Sequence, residues 1–191
     1  MSIEAVVIRK MPVREHDQMV VLYSREAGKM TVAARGSLRI HSKQAPALDE
    51  GNLIQCELVN GKAGPIMTGA QAVRSYSGAK QSPVRWAAMQ FFLQVIDILV
   101  YDAQSDGRLW ECLTGVLTRL DEAADDEALA VFRRCQGFLL ESLGYGMQGE
   151  AVLSSLHINR GVMDEQFEAI AQRRLTGLDL FYDIATRQYP W

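Results

Sequence analysis

Basic side chains are the residues of this chain whose types and spacing point most directly to chemistry. Residues 1–80 hold 11 Lys and Arg against 7 Asp and Glu, whereas residues 81–191 hold 9 against 16, within a net charge of −3. Lys and Arg on one accessible surface bind phosphates, because neutralised phosphates release their counterions. The charge asymmetry indicates a nucleic-acid-binding surface in the first part of the chain. The excess is modest, and ordinary solvated charges are the alternative.

Aromatic residues, which single-strand binders use to stack bases, are sparse in this basic part. Residues 1–80 contain only Tyr23 and Tyr76. This scarcity favours the competing class of protein, an interaction scaffold that joins other proteins and does not bind DNA. The two classes differ in the salt dependence of oligonucleotide binding, since phosphate contacts weaken steeply with salt.

A second candidate site is the pair Arg133-Arg134 inside an otherwise apolar helical pattern, followed by Leu139-Leu140 and by the turn at residues 143–146. One interpretation is a cationic rim around an apolar groove, which suits an acidic peptide with a hydrophobic end. The other is a pair of surface arginines beside a core face and a glycine cap.

Motifs for catalysis, metals and cofactors are absent from the sequence. There is no phosphate-binding glycine motif and no GxSxG nucleophile motif. The scattered cysteines and histidines lack the close pairing of zinc ligands, and an odd, scattered set of cysteines suits a reducing cytoplasm. No stretch is long and apolar enough to span a membrane, and no signal peptide is evident. We predict a cytoplasmic protein that is not an enzyme and needs no metal or cofactor. The residues concerned are Cys56, Cys112, Cys135, His16, His41 and His157.

The basic residues lie on a β-rich pattern. Turn signals at residues 14–17, at residues 25–28 and at Asn60-Gly61 separate β-branched segments, and Gly69 marks a β-bulge. Residues 36–50 have no clear period and predict a long, mobile, basic loop. Five strands with one longer loop after the third suit a small closed barrel of the OB type, and an SH3-like barrel satisfies the same count. The predicted strands are residues 3–13, 18–24, 29–35, 52–59 and 66–76.

From Ser82-Pro83, a helix-start signal, the pattern becomes helical. We predict helices over residues 83–102, 106–121, 125–143 and 164–188, with Gly144 as a C-cap and Gly177 as a break or bend. The fold class is therefore α+β, with a small β-barrel of the OB or the SH3-like type at residues 1–80 and an α-helical domain at residues 81–191.

Several of these segments carry a resemblance to a known family. The segments 4–9, 16–17, 20–29 and 33–36 resemble the first three strands of RecO, the bacterial recombination mediator of DNA repair. Arg133-Arg134, Leu139-Leu140 and Leu143-Gly144-Tyr145 resemble the helix and Leu-Gly-Tyr turn of its helical domain. In these segments, the chain resembles a short member of the RecO family.

The resemblance implies an OB-fold DNA-binding domain at residues 1–80, followed by an α-helical domain at residues 81–191. It implies binding to single- and double-stranded DNA, annealing of complementary strands, and partnership with RecR. It further implies docking to the acidic, Phe-ended tail of single-stranded-DNA-binding protein (SSB), and help in loading RecA onto SSB-coated strands. The predicted location is the bacterial cytoplasm, in association with the nucleoid. The expected DNA-binding residues are Arg9, Arg14, Arg35, Arg39 and Lys43, and the expected tail-binding residues are Arg133, Arg134 and Leu139.

One departure bears on metal chemistry. Many family members carry a four-cysteine zinc module after the Leu-Gly-Tyr turn, but residues 147–191 of this chain contain no cysteine. We therefore expect no zinc here. The loop after the third strand is also less basic than is usual in the family, with Leu38 and Ile40 among its charges.

Overall fold

Packing divides the chain into two compact units. The computed structural model describes residues 1–145 and 162–188. The barrel unit comprises residues 1–75 and 100–107, and all other described residues belong to the helical unit. No sequence signal indicated that the segment between two helices joins the barrel unit. The assignment of residues 1–80 as a DNA-binding domain stays a prediction.

Five strands form a closed barrel in the order β1-β2-β3-β5-β4, with β4 pairing back onto β1. Only β3 and β5 pair in parallel, and the other four pairs are antiparallel. This connectivity is that of the OB fold, and it decides against the SH3-like alternative. The strands are β1 (Ser2–Pro12), β2 (Gln18–Ser24), β3 (Gly28–Ala34), β4 (Leu53–Gly61) and β5 (Gly64–Arg74).

Alternation places one face of each strand in the barrel core. In β4, Ile54, Cys56 and Leu58 are buried, while Gln55 and Glu57 between them are exposed. This period of two directs successive side chains to opposite faces of the sheet. The exposed set of β4 is therefore available to line an outer surface of the barrel.

The β-bulge predicted at Gly69 is confirmed. Glu57 pairs with Gly69 and Leu58 pairs with Met67, so Thr68 is the extra residue on β5. A β-bulge bends the strand that carries it and re-aims the neighbouring side chains. Gly69 has no neighbouring atom within 4 Å of the position that a Cβ would occupy, so the barrel surface is open there.

The loop between β3 and β4 is more ordered than its sequence indicated. It contains a short 3-10 turn, Ala45–Leu48, and the side chains of Ala47 and Leu48 belong to the barrel core. Asn52 anchors this turn, because its Nδ2 donates hydrogen bonds to the carbonyl oxygens of Pro46 (3.1 Å) and Ala47 (3.0 Å). The prediction of a long loop without structure is therefore wrong for its second half.

Segment 100–107 adds to the exposed edge of β3. The Ala103 N–H donates to the carbonyl oxygen of Lys29 at 2.9 Å, and the Tyr23 hydroxyl donates to the carbonyl oxygen of Asp106 at 3.3 Å. The positive φ predicted for Gly28 is confirmed at 68°, and a Cβ there would collide with the backbone of Gln104. Glycine is therefore required at this turn by conformation and by space.

Six helices are described in the helical unit, and the predicted helical segments are confirmed as helices. The C-cap predicted at Gly144 is confirmed, since this residue follows the end of α4 with φ at 84°. The short helix α1 was not predicted. The helices are α1 (Ser77–Gln81), α2 (Pro83–Leu99), α3 (Gly107–Glu122), α4 (Ala128–Ser142), α5 (Val162–Ala171) and α6 (Thr176–Gln188).

The helix break that we predicted at Gly177 does not occur at this residue. The break between α5 and α6 precedes it, and Gly177 lies in the first turn of α6. A Cβ on Gly177 would lie 2.7 Å from the Cα of Phe91 in α2. The Gly177 N–H also donates to Oε1 of Gln94 at 2.8 Å. Glycine is therefore needed for the close approach of the two helices.

Aromatic rings form the centre of the helical core. Phe91 makes edge-on contacts with Phe92, Phe132 and Phe167, with ring centroids 5.1 to 5.2 Å apart. Phe132 stacks on Phe181 at 3.9 Å. Aromatic pairs in such arrangements stabilise the fold by more than the burial of their surface area accounts for. Among the described residues, no helix has the length and apolar character needed to cross a membrane.

Candidate nucleic-acid interface

Three of the predicted DNA-binding residues lie at one end of the barrel. Two loops meet there, because the Gly36 N–H donates to Oδ1 of Asp17 at 2.7 Å and the Leu38 N–H donates to the carbonyl oxygen of His16 at 3.1 Å. The first loop carries Arg14, and the second carries Arg35 and Arg39. We call these three residues the arginine corner.

The local turn after β3 positions Arg39. Gly36 has φ at 64°, and the Arg39 N–H donates to its carbonyl oxygen at 3.2 Å. A Cβ on Gly36 would lie 3.6 Å from Nε of Arg39, so the arginine side chain lies over the glycine. The buried hydroxyl of Ser37 donates to the Ala34 carbonyl oxygen at 2.8 Å and ties the turn to the end of β3. The corner is therefore built on a braced turn.

The charges of the arginine corner are available to a ligand. All three side chains are exposed, and among the described residues no ion pair neutralises any of them. Two lysines of the barrel differ, since Lys10 Nζ lies 2.9 Å from Oδ1 of Asp49 and Lys29 Nζ lies 3.6 Å from Oδ1 of Asp102. Exposed guanidinium groups suit phosphate, because their planar donors bind two oxygens at once.

The other two predicted contacts lie elsewhere on the barrel. Arg9 is exposed on β1, opposite Val21 in the sheet register and farther from the corner. Lys43 lines a groove of about 570 Å³. The walls of this groove come from the loop after β3, from the exposed face of β4 and β5, and from Ser2 at the start of β1. The structure thus groups three of the five predicted residues and places two apart.

Neither tyrosine of residues 1–80 is available to stack a base. Tyr23 is fully buried and Tyr76 is 2% exposed. Burial, together with the nearby charge of Asp106, raises the pKa of the Tyr23 hydroxyl to about 12. Sequence reasoning missed Tyr101, which is 77% exposed on the segment that joins the barrel unit. Its only signal was its position at the end of the helical pattern of residues 83–102.

Arg133 lies inside the helical unit, not on a surface rim. Its guanidinium Nη1 donates to Oδ2 of Asp164 at 2.7 Å and to Oε1 of Gln136 at 3.0 Å. Asp164 also accepts hydrogen bonds from Nε2 of Gln136 and from the hydroxyl of Tyr182, each at 2.7 Å. Arg133 is 3% exposed and Asp164 is 2% exposed. The pair therefore has the geometry of a buried structural ion pair with satisfied neighbours.

The three residues predicted to bind an SSB tail do not share an exposed surface. Leu139 is 1% exposed, and among the three only Arg134 is exposed. Sequence reasoning missed two nearby side chains. Phe138 is 47% exposed one turn after Arg134, and the guanidinium carbon of Arg119 lies 5.0 Å from its ring centroid. The signal for Phe138 was an aromatic residue four positions after an arginine in one helix.

Thiols and metal ligands do not assemble a reactive centre in the described ranges. No cluster of three or more His, Cys, Asp or Glu residues there could hold a metal ion. Burial raises the pKa of the Cys56 thiol to about 11 and that of the Cys135 thiol to about 12. Thiols with raised pKa values are poor nucleophiles, because the thiolate is the reactive form. His157 and part of the cysteine-free region after Tyr145, residues 146–161 and 189–191, lie outside the described residues.

These features define a class of protein, an OB-fold barrel with an exposed arginine corner, followed by a helical unit. Comparison with known proteins agrees with this class. The family model described as "Recombination protein O N terminal" matches residues 1–76. The DNA repair protein RecO of Geobacter metallireducens is 30% identical over 143 residues, which are 74% of this chain and 57% of that protein.

Further relatives give the same assignment. The DNA repair protein RecO of Cutibacterium acnes is 30% identical over 142 residues, 73% of this chain and 58% of its own length. That of Geobacter sulfurreducens is 28% identical over 148 residues, 78% of this chain and 60% of its own length. The chain is therefore similar to RecO proteins over about three quarters of its own length, and it spans somewhat over half the length of these curated relatives.

Proposed function

We propose that this protein binds single- and double-stranded DNA through the arginine corner and acts in DNA repair and homologous recombination. The observation that carries the proposal is the grouping of three exposed arginines, outside any described ion pair, at one end of an OB-fold barrel. Similarity to relatives that are DNA repair proteins supports it. Arg9 and Lys43, which lie elsewhere on the barrel, are proposed as further DNA contacts. The protein then works in the bacterial cytoplasm, on the nucleoid.

Annealing of complementary strands follows from such a surface without a catalytic residue. Two DNA backbones repel each other, and cations placed between them lower this repulsion and raise the rate of encounter. The arginine corner supplies such cations on a rigid barrel. With RecR as a partner, the annealing protein would help RecA to load onto strands coated by SSB.

A salt titration of DNA binding tests this proposal. The affinity of the whole chain for a fluorescent single-stranded oligonucleotide would be measured between about 50 and about 200 mM salt. A steep linear fall of the logarithm of affinity with the logarithm of salt is expected. Undetectable binding at the low-salt end would contradict the proposal.

The same measurement decides the alternative function, a protein–protein scaffold without direct DNA binding. Two observations favour that alternative, namely the acidic second part of the chain and the burial of both tyrosines of residues 1–80. A scaffold would bind no oligonucleotide at low salt and would still bind its protein partners.

We further propose that the SSB tail binds the helical unit at Arg134, with Arg119 and Phe138 beside it. An acidic peptide ending in Phe pairs its charges with the two arginines, and its ring packs against Phe138. Arg133 and Leu139, which we also predicted as contacts, are buried and are not part of the proposed surface.

Charge reversal tests the tail site. Binding of a fluorescent SSB tail peptide would be compared between the parent chain and the variant with Arg119→Glu and Arg134→Glu. A loss of binding is expected because both charges are exposed, while the reversal at Arg173 and Arg187, also exposed, serves as the control. Equal binding by both variants would remove the site from α3 and α4.

A further inference from the structure

The groove beside Lys43 differs chemically from the arginine corner. We call it the amide groove, because three glutamine side chains, Gln44, Gln55 and Gln71, line it together with Lys43 and Glu57. Its volume of about 570 Å³ is in the range of small-molecule sites. No aromatic or large aliphatic side chain lines it, and the amide, hydroxyl and charged ends of its side chains offer hydrogen bonds.

We propose that the amide groove holds one unstacked base of the single strand that the arginine corner binds, and that it prefers adenine. The inference rests on the DNA binding proposed above. It assigns base discrimination to a barrel whose other proposed contacts are all to phosphate.

The connection between the corner and the groove supports this assignment. Both are built from the loop after β3, and Nε2 of Gln44 donates to the carbonyl oxygen of Arg35 at 3.2 Å. A backbone held by Arg35 and Arg39 therefore passes Lys43 and brings its next bases to the groove. A peptide is disfavoured as the occupant, because the groove offers no pocket for an apolar side chain.

The lining determines which base fits. A glutamine amide pairs with the amino group and a ring nitrogen of adenine through two hydrogen bonds. The carboxylate of Glu57 accepts from an exocyclic amine and repels the carbonyl oxygen that thymine presents instead.

Hydrogen bonding, unlike stacking, makes the contact selective. Stacking on an aromatic ring tolerates every base, because each base has a π-face. The groove has no ring, so a base is held there by its edge. Discrimination by one such bidentate pair corresponds to a preference of at least about fivefold.

Gly69 allows the groove to be blocked without strain. It lies on the lining, its φ is outside the positive range that disfavours side chains, and nothing lies within 4 Å of a Cβ placed there. The variant Gly69→Leu therefore fills the groove and leaves the barrel intact. Gly107→Leu is the matched control, because Gly107 also has open space around its Cβ position and does not line the groove.

The experiment measures strand affinity by fluorescence anisotropy with the whole chain. The strands are oligothymidines of about twelve nucleotides, within the site sizes of OB folds, with thymine, adenine or unsubstituted purine at the centre. We expect the adenine strand to bind at least about fivefold more tightly than the others. Gly69→Leu and Gln71→Ala should abolish this preference and keep the thymidine affinity, whereas Gly107→Leu should keep both.

Each contrary result has a distinct meaning. Equal affinity for all three strands, or an adenine preference that survives Gly69→Leu, would overturn the inference and leave the proposed DNA binding in place. Failure of every strand to bind at low salt would overturn both. If Gly69→Leu lost affinity for the plain thymidine strand while its unfolding midpoint matched that of the parent, the groove would hold backbone rather than a base edge, and the inference would fail.

Discussion

Arginine is used in opposite ways in the two units of this protein. In the barrel unit, Arg14, Arg35 and Arg39 are exposed and take part in no described ion pair, so their charge is available to phosphate. In the helical unit, Arg133 is buried and bound to Asp164. The same guanidinium group is therefore available to a ligand where water surrounds it, and it contributes to packing where a buried carboxylate neutralises it.

A pair of basic residues in a sequence therefore has no fixed structural role. Arg133 and Arg134 are neighbours in sequence, yet one is 3% exposed and the other lies on the surface. Successive residues of a helix point about 100° apart, so a doublet can straddle the boundary of a buried face. Binding energy should therefore depend on the exposed arginines, and folding energy on the buried one.

The largest effect is expected from removing the partner of the buried arginine. Asp164→Ala leaves Arg133 charged in the interior, which should lower the free energy of unfolding by about 3–5 kcal/mol in urea denaturation. Asp183→Ala is the control, since Asp183 pairs with Arg187 on the surface at 2.9 Å and should cost less than about 1 kcal/mol. Similar losses in both variants would show that burial does not distinguish these pairs.

The second prediction concerns the arginine corner. Replacing Arg14, Arg35 and Arg39 by Ala should weaken binding to a single-stranded oligonucleotide by on the order of tenfold or more and flatten its salt dependence. The free energy of unfolding should change little, because surface substitutions rarely affect it. The control variant replaces Arg173, Arg174 and Arg187 by Ala, which removes the same number of positive charges from the helical unit. If both variants lost the same affinity, only net charge would matter.

The third prediction compares buried thiols in the two units. Folding raises the pKa of Cys56 to about 11 and that of Cys135 to about 12, from an ordinary value near 9. Ionisation therefore favours the unfolded chain, and stability falls as the pH rises from about 9 towards these values. Each thiol should contribute roughly 2 kcal/mol to this fall.

Denaturation between about pH 8.5 and about pH 10.5 checks the thiol prediction. Cys56→Ala and Cys135→Ala should each have a shallower decline than the parent chain. An unchanged decline in either variant would mean that water reaches that thiol in the folded state.

The smallest effect is expected at Asp17, which joins the two loops of the arginine corner by accepting the Gly36 N–H. Asp17→Ala should lower the free energy of unfolding by about 1 kcal/mol. It should also lower oligonucleotide affinity about threefold, even though the substitution removes a negative charge that repels phosphate. Glu15→Ala removes the same charge from an exposed position in the same loop. Its affinity should stay equal or rise, so a rise in both variants would contradict the positioning role.

Local pattern was sufficient for much of the fold. The strand segments, the turn at Gly28, the bulge at Gly69 and the cap at Gly144 were all predicted, because each depends on the conformational preference of a few neighbouring residues. Gly177 was misjudged, because its role is a close approach to Phe91, far away in sequence. The return of segment 100–107 to the barrel unit was missed for the same reason.

The candidate site divides in the same way. Sequence alone determined that the basic residues cluster in the barrel half, and that a loop after β3 carries several of them. Only tertiary structure decided that Asp17 and Gly36 bring Arg14 to Arg35 and Arg39, and that Lys43 lines a separate groove. Composition and periodicity can be read from the sequence without knowledge of the fold. The burial of Arg133 depends instead on Asp164 and Tyr182, which folding brings from distant helices.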